Sequence, residues 1–462
     1  MERGVNLAKS NGRPPGRRPF TLFERAMYLD GTQSVNVALA ARLHGELDEV
    51  RLSVALARLQ ELHPVLRCLV VSEQGRPHFV EQTSPPPIPL SIERRQGERD
   101  WIEVVRRESL RLFDGRNEPL CRLVWLRGDS HSEFVLVCHH AICDGRSLFN
   151  LLGQILRLHA EPLCELGIPR MLASFESLFP AEVLADRSFR RRIRRRAGWL
   201  KIALRLLPIS RRRWSYGAVY QHFWQWEPRQ SQALLSRCKA EQVGPAVTFA
   251  AAFMLAFAGE AQGPAIEKFV LPVDVRRFLP RVDSQGLFAI APTVALKARK
   301  KSAAGNVSAT SFWSLVRSFK NDLDVQIQHL GDKVHADFLG MELLHDVYHR
   351  MLAYGQSRRA GRQVSLSYMG EVKLAPWPGD VAVRDVLGMS AVLAPTPANL
   401  IVISSYAGYF RFSLASDEIS LPHAVALRIV ERAMELLQAV TSATRSTSAD
   451  QQIPLAATME SL

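Results

Sequence analysis

The chain has 462 residues, 47% of them hydrophobic and 23% charged. That excludes a disordered or fibrous protein and suits two or three globular domains. The net charge of +14 invites a nucleic-acid reading, but twelve Arg or Lys and no acid fall between Arg187 and Arg213, which leaves +2 for everything else.

Residues 1–18 are basic, rich in Gly and Pro, and lack the apolar stretch of a signal peptide; a flexible arm on a cytoplasmic protein is expected. Six cysteines (Cys68, Cys121, Cys138, Cys143, Cys164, Cys238) without paired spacing agree with free thiols in a reducing compartment. A first half is expected over 19–180. In it, Val35, Val37, Leu39, Ala41 and Leu43 alternate as in a half-buried strand. Val50, Leu52, Leu56 and Leu59 then share a helical face, with Asp48 as N-cap. Pro64 ends that helix, and Val65 to Val71 resume as a strand. Leu120 to Leu126 and Glu133 to Cys138 read as a hairpin turning through Gly128-Asp129-Ser130. A helix follows, with Leu148, Leu151, Leu152, Ile155 and Leu158 at helical spacing.

An Arg-rich crossover (181–216) leads to a second half (217–440). It contains the thirteen-residue apolar run Ala246 to Ala258, too short to span a bilayer and read as a buried helix entered at Pro245. Strands are expected in "KFVLP", "GLFAIAPTVAL" and "QVSLSYMGEV", and a hairpin turns at Ala407-Gly408. "LPHAVALRIVERAMELLQAV" closes the fold as an amphipathic helix, and 441–462, rich in Ser, Thr, Ala and Gln, reads as a frayed tail.

The chemistry concentrates in "VLVCHHAICDG", where His139 and His140 end a strand and Asp144-Gly145 opens a helix. H-H-x-x-x-D-G arises by chance in roughly one chain in a thousand of this length at average residue usage. Three chemistries could use it. Zinc could take Cys138, His139, His140 and Cys143, but adjacent strand residues point to opposite faces and no second ligand pair is evident. A cysteine nucleophile is a second reading, although Cys138 falls on the face opposite His139. The third is general base catalysis: a neutral imidazole, ordinarily titrating near 6.5, removes a proton from a hydroxyl or amine attacking a carbonyl.

The H-H-x-x-x-D-G motif resembles the signature of the acyltransferase superfamily that includes chloramphenicol acetyltransferase, peptide condensation domains and polyketide-associated (Pap-type) acyltransferases. "HPVLR", "LPVDVRRFLPRV" (Leu271 to Val282), "LSYMGEV" and "YAGYFRFSLASD" resemble further segments of these proteins, in order, over most of Phe20 to Ala439. The Pap-type group is the nearest in flavour. The resemblance implies an α/β fold of two chloramphenicol acetyltransferase-like halves in a V, with a tunnel at their interface. It implies His140 as general base, with no acyl-enzyme and no bound metal or cofactor. The donor would be a thioester on coenzyme A or on the phosphopantetheine of an acyl carrier protein, and the acceptor a hydroxyl or amine. It gives Asp144 a structural role, paired with an arginine; Arg276 is the first choice here and Arg277 the fallback. His139 is then expected to pack against the second half, Gly145 to serve a positive-φ turn or a close backbone approach, and His63, with Pro64 and Arg67, to be structural. A backbone N–H near Gly145 is a candidate oxyanion donor.

The basic run 187–213 interleaves arginines with Ile193, Trp199, Leu200, Ile202, Leu204, Leu206 and Leu207. It can be a solvated crossover, a peripheral contact with anionic membrane, or a dock for an acidic carrier protein or the phosphates of coenzyme A; nucleic acid lacks a supporting motif. Three functions stay open. The favoured one is O-acyl transfer to a natural-product or lipid-like acceptor. The others are a freestanding condensation-type enzyme making an amide or ester between carrier-bound groups, and a non-catalytic binding protein of the same fold.

Overall fold

A computed structural model describes residues 16–167, 175–208, 217–283, 285–297, 307–357, 362–392, 399–443 and 452–453. The chain opens with β1 (Arg17–Pro19) and α1 (Leu22–Tyr28), whose capping box joins Thr21 and Glu24. Residues 17 and 18 therefore leave the expected flexible arm: they pair with a later strand, and Arg18 is buried on Glu24. The remaining arm residues to 15 lie outside the described residues.

β2 (Asn36–His44) is buried continuously from Asn36 to Ala41, not on one face only as the alternation suggested. It is an inner strand with layers on both sides. α2 (Glu49–Leu62) starts at the Asp48 cap, whose carboxylate accepts from the Arg51 N–H at 2.7 Å. Leu52, Leu56 and Leu59 are buried, but Val50 in the first turn is exposed. After Pro64 a 3₁₀ turn delays the strand, so β3 (Cys68–Glu73) begins three residues later than expected and pairs with β4 (Arg76–Glu81). β5 (Leu90–Arg94) and α3 (Asp100–Leu110) precede the hairpin of β6 (Cys121–Arg127) and β7 (Ser132–His139). α4 (Gly145–Ala160) follows directly.

Beyond α5 (Ala181–Ala185), the basic run is helical over α6 (Arg187–Leu206); residues 209–213 of that run are outside the described residues. The second half begins with β8 (Val219–Trp226), α7 (Pro228–Ala240) and α8 (Pro245–Gly259). Val247 to Phe257 of α8 are all buried, as an all-round apolar helix must be. β9 (Lys268–Pro272) pairs with β10 (Thr293–Lys297); the expected strand near "GLFAIAP" is irregular up to Pro292. β11 (Val307–Ser308) leads into α9 (Ala309–Glu342), about 50 Å long at 1.5 Å per residue. Next come α10 (Tyr348–Ser357), β12 (Gln363–Glu371), β13 (Ala382–Ala391), the hairpin of β14 (Asn399–Tyr406) and β15 (Tyr409–Asp417), and α11 (His423–Ser442). Ala407 and Gly408 both have positive φ, as a two-residue hairpin turn requires. The expected tail is not wholly frayed: α11 reaches Ser442, and β16 (Gln452–Ile453) pairs with β11.

The two halves are two sheets with their helices. The first sheet runs β13-β2-β7-β6-β5 and the second β10-β9-β12-β14-β15-β8. β13 comes from the second half of the sequence, yet its register pairs it with β2 of the first. It is tied back to its own half by Ser413 Oγ donating to Met389 O (2.5 Å), Gln221 Nε2 to Ser390 Oγ (2.9 Å) and Tyr406 O–H to Val383 O (3.0 Å). The sequence boundary at 217 is thus not a clean spatial one, because the first sheet borrows its edge strand. No single helix among the described residues is long and apolar enough to cross a membrane.

The β13 seam depends on a small residue. A Cβ on Gly388 would lie 2.8 Å from a ring carbon of Phe223 and 3.4 Å from Trp101. Gly388→Ala should therefore destabilise the fold by about 1–3 kcal/mol, the usual cost of overpacking. Denaturant unfolding measures it; a neutral or stabilising result would mean the seam is plastic.

Candidate active site

The two adjacent histidines follow from strand alternation: β7 ends at His139, so the neighbouring imidazoles leave in different directions. His139 is 2% exposed and packs within the first half, 5.3 Å from the Tyr28 ring and 6.1 Å from Phe113, not against the second half as expected. Its Nδ1 accepts from the Ala141 N–H at 3.1 Å. Burial, with smaller contributions from His140 and Arg122, pushes its pKa down to about 3, so the ring is neutral.

His140 is half-buried at the start of the loop, with its N–H donating to Val35 O at 2.7 Å. Its Nδ1 lies 2.9 Å from the Cys143 carbonyl. A carbonyl only accepts, so Nδ1 carries the proton and Nε2 keeps the lone pair. Burial lowers the His140 pKa below the ordinary value, and the Asp144 charge opposes part of that shift. The ring is oriented by a backbone carbonyl, and the Asp144 carboxylate points its bonds elsewhere, so a Ser–His–Asp type of relay is not assembled.

Asp144 performs two other bonds. It is the N-cap of α4, with Oδ1 accepting from the Ser147 N–H at 2.8 Å. It also takes both guanidinium arms of Arg276, NH1 to Oδ2 at 2.7 Å and NH2 to Oδ1 at 3.3 Å. The side chains are 9% and 15% exposed. The Asp144 N–H donates to Phe288 O (3.0 Å), Ser147 Oγ accepts from the Phe288 N–H (3.3 Å), and Arg276 lies over the Phe288 ring at 5.1 Å. Asp274 extends the network, accepting from Arg276 at 3.3 Å and from Arg146 at 3.0 Å. Ser147, Phe288, Asp274 and Arg146 escaped the sequence reading. Ser147 had a signal, standing three residues after a cap; the Phe288 backbone had none. Arg277, the fallback, stacks on Phe278 at 4.6 Å instead.

Gly145 does not have positive φ. What it provides is room: a Cβ there would lie 2.8 Å from Met369 Cε and 2.9 Å from Met389 Sδ, the side chains β12 and β13 press onto the start of α4. His63 hydrogen-bonds Gln154 of α4 at 2.6 Å, and Arg67 donates to Glu61 O at 2.7 Å. Cys138 and Cys143 are buried, and burial pushes both thiols up, so neither offers a thiolate. No cluster of three or more metal-ligating side chains occurs among the described residues. Beside the Asp144–Arg276 network lies a cavity of about 570 Å³, lined by Leu271, Val273, Val294, Leu323, Ile327 and Leu366, with Arg146, Asp274, Arg276, Arg277 and Tyr368 as its main polar groups.

Breaking this partly buried pair should cost about 3 kcal/mol in Arg276→Ala, the low end of the range for a buried pair. Asp144→Asn keeps a capping side chain and Asp144→Ala does not, so the alanine variant should be less stable by about a further 1 kcal/mol. Denaturant titration of the three proteins checks both differences; equal stability of the two Asp144 variants would remove the cap from the account. His139 makes a separate prediction about acid. The folded state holds it neutral down to about 3, whereas the unfolded chain takes up the proton below 6.5. Acid therefore favours unfolding, and His139 alone should remove about 1.4 kcal/mol per pH unit between those limits. His139→Asn should start less stable at neutral pH but lose stability more slowly across that window.

Residues 23–167 match the family model described as Condensation domain. Among known proteins, cyclosporin synthetase simA of Tolypocladium inflatum is 31% identical over 127 residues, 27% of this chain and 1% of that protein. The chain thus spans only a small fraction of the curated relatives it matches. Polyketide synthase associated protein 5 from Mycobacterium tuberculosis is similar in structure, with a TM-score of 0.59 and 17% identity over 93% of this chain and 99% of that one. The TRI3 trichothecene 15-O-acetyltransferase from Fusarium sporotrichioides gives 0.64 and 13%, over 94% and 97%. The chain has the two-halved, chloramphenicol acetyltransferase-like fold of these structures.

Proposed function

We propose that this chain, with its condensation-domain fold, moves an acyl group from a thioester to a hydroxyl acceptor, with His140 as general base. The observation that carries this reading is the 2.9 Å contact between His140 Nδ1 and the Cys143 carbonyl, which dictates the tautomer. Nδ1–H is committed to the Cys143 carbonyl, Nε2 keeps its lone pair, and no hydrogen bond occupies Nε2 among the described residues. Burial lowers the pKa, so the ring is neutral at physiological pH.

In the proposed reaction Nε2 takes the acceptor O–H proton as the oxygen attacks the thioester carbonyl. A tetrahedral oxyanion forms and collapses, the C–S bond breaks, and the proton passes from Nε2 to the leaving sulfur. The products are an ester and a free thiol, with no acyl-enzyme. The donor thiol is that of coenzyme A or of a carrier protein's phosphopantetheine arm, and a backbone N–H near Gly145 is the candidate oxyanion donor. The cavity beside the Asp144–Arg276 network has the size of an ordinary small-molecule site, with one apolar and one charged wall. The match to the Condensation domain supports a second reading, transfer between carrier-bound groups to an ester or amide.

Thioester turnover tests the central residue. His140→Gln should fall about 10²–10⁴-fold in kcat with the fold intact; turnover equal to wild type would end the general-base reading. The competent base is the neutral ring, so kcat/KM falls as acid protonates it. Since the pKa is lowered, the midpoint of that decline should lie below 6.5, the ordinary histidine value. Offering one acyl group on coenzyme A and on a carrier, to alcohol and amine acceptors, with product mass spectrometry, separates the two readings.

A further inference from the structure

The mechanism leaves α6 unused, and its outward face is unusual. Ile193, Ala197 and Leu204 are buried against the body of the protein. Lys201 and Arg205 pair with Asp346, and Arg350 donates to the Leu204 and Leu207 carbonyls at 3.0 and 3.1 Å, so the helix is firmly seated. At about 100° per residue, Arg191, Arg195, Trp199, Ile202 and Leu206 all fall within about 40° of the line opposite that buried stripe. Trp199, Ile202 and Leu206 are 68%, 49% and 78% exposed. Arg187, Arg190, Arg191, Arg192, Arg194, Arg195 and Arg196 are exposed and have no ion-pair partner among the described residues.

We infer that this face of α6 seats the protein on an anionic lipid surface. Exposed Trp, Ile and Leu at i, i+3 and i+7 form a continuous apolar stripe that water solvates poorly, and an indole is well suited to the headgroup level. The seven arginines spread around the whole solvent-facing arc of the helix instead of forming one patch. A fluid layer of phosphates can move to meet charges so disposed, whereas the fixed carboxylates of a protein partner would meet only one side of them. The apolar stripe enters the boundary and the arginines hold the headgroups. The inference does not depend on the acyl-transfer reading.

The test is flotation of the full chain with vesicles of phosphatidylcholine alone and of phosphatidylcholine with phosphatidylglycerol. The protein should float with the anionic vesicles only, less so at high salt. Arg191→Gln with Arg195→Gln should lower partitioning about 30-fold, the equivalent of ~2 kcal/mol. Trp199→Ser with Ile202→Ser and Leu206→Ser should abolish the binding that survives high salt. All five side chains are outside the buried stripe, so circular dichroism and turnover of soluble thioesters should match wild type. No flotation, or flotation unchanged by both sets of substitutions, overturns the inference. So does capture of an acidic protein that the same substitutions abolish while vesicles are ignored.

Discussion

The site depends on one partly buried carboxylate used twice. Asp144 caps α4 through the Ser147 N–H and receives both arms of Arg276 from the other half. Its own peptide follows Cys143, whose carbonyl orients the His140 ring. The loop between strand and helix is therefore pinned at its far end by a group whose partner lies 132 residues away. Two charges this poorly solvated are costly to bury, and only good geometry compensates. Here a bidentate contact, a cap, a neighbouring hydroxyl and a second carboxylate at Asp274 supply it. Relative placement of the two halves and orientation of the imidazole are thus set by the same few bonds.

A second constraint runs alongside. β13 completes the first sheet while its Ser390 hydroxyl bonds to β8 and its Met389 carbonyl to β15 in the second, and Met389 presses on Gly145 with Met369 of β12. Neither half can shift without disturbing the start of α4. The motif glycine is a place where two elements of the second half approach the helix too closely for any side chain. That is a packing requirement between halves, where the sequence alone suggested a positive-φ turn or a close approach of backbone to substrate.

Much of this was legible in the chain. The β6–β7 hairpin, the helix after Gly145, the buried α8 and the Ala407-Gly408 turn all carry local signals, because period, cap and turn chemistry act within a few residues. The 34-residue α9 went unread although Phe312, Val316, Phe319, Leu323, Ile327, Leu330, Val334 and Phe338 recur every three or four positions; its charged intervening residues masked the stripe. β13 was not legible as a strand of the first sheet, since its partner is hundreds of residues earlier and register is a tertiary property. Arg276 could be nominated from its segment, but Phe288 acts through backbone atoms that any residue would carry. His139 was expected at the interface and lies instead in the first core, since strand alternation fixes its direction but not what stands opposite.

The adjacency of two imidazoles makes electrostatic sense for the proposed chemistry. A proton arriving on His140 would be opposed by a neighbouring imidazolium, but burial holds His139 neutral. Asp144 favours that proton from the other side, and Arg276 tempers the carboxylate's pull. The result is a base weaker than a free histidine. In the proposed reaction such weakness would slow removal of the acceptor proton but make the resulting imidazolium a stronger acid, and the same proton would then have to reach the departing sulfur. A base strengthened by direct contact with an unpaired carboxylate would hold that proton and delay the second step. Committing Asp144 to Arg276 and to the helix cap, while a carbonyl orients the ring, would keep a base at His140 between those two demands.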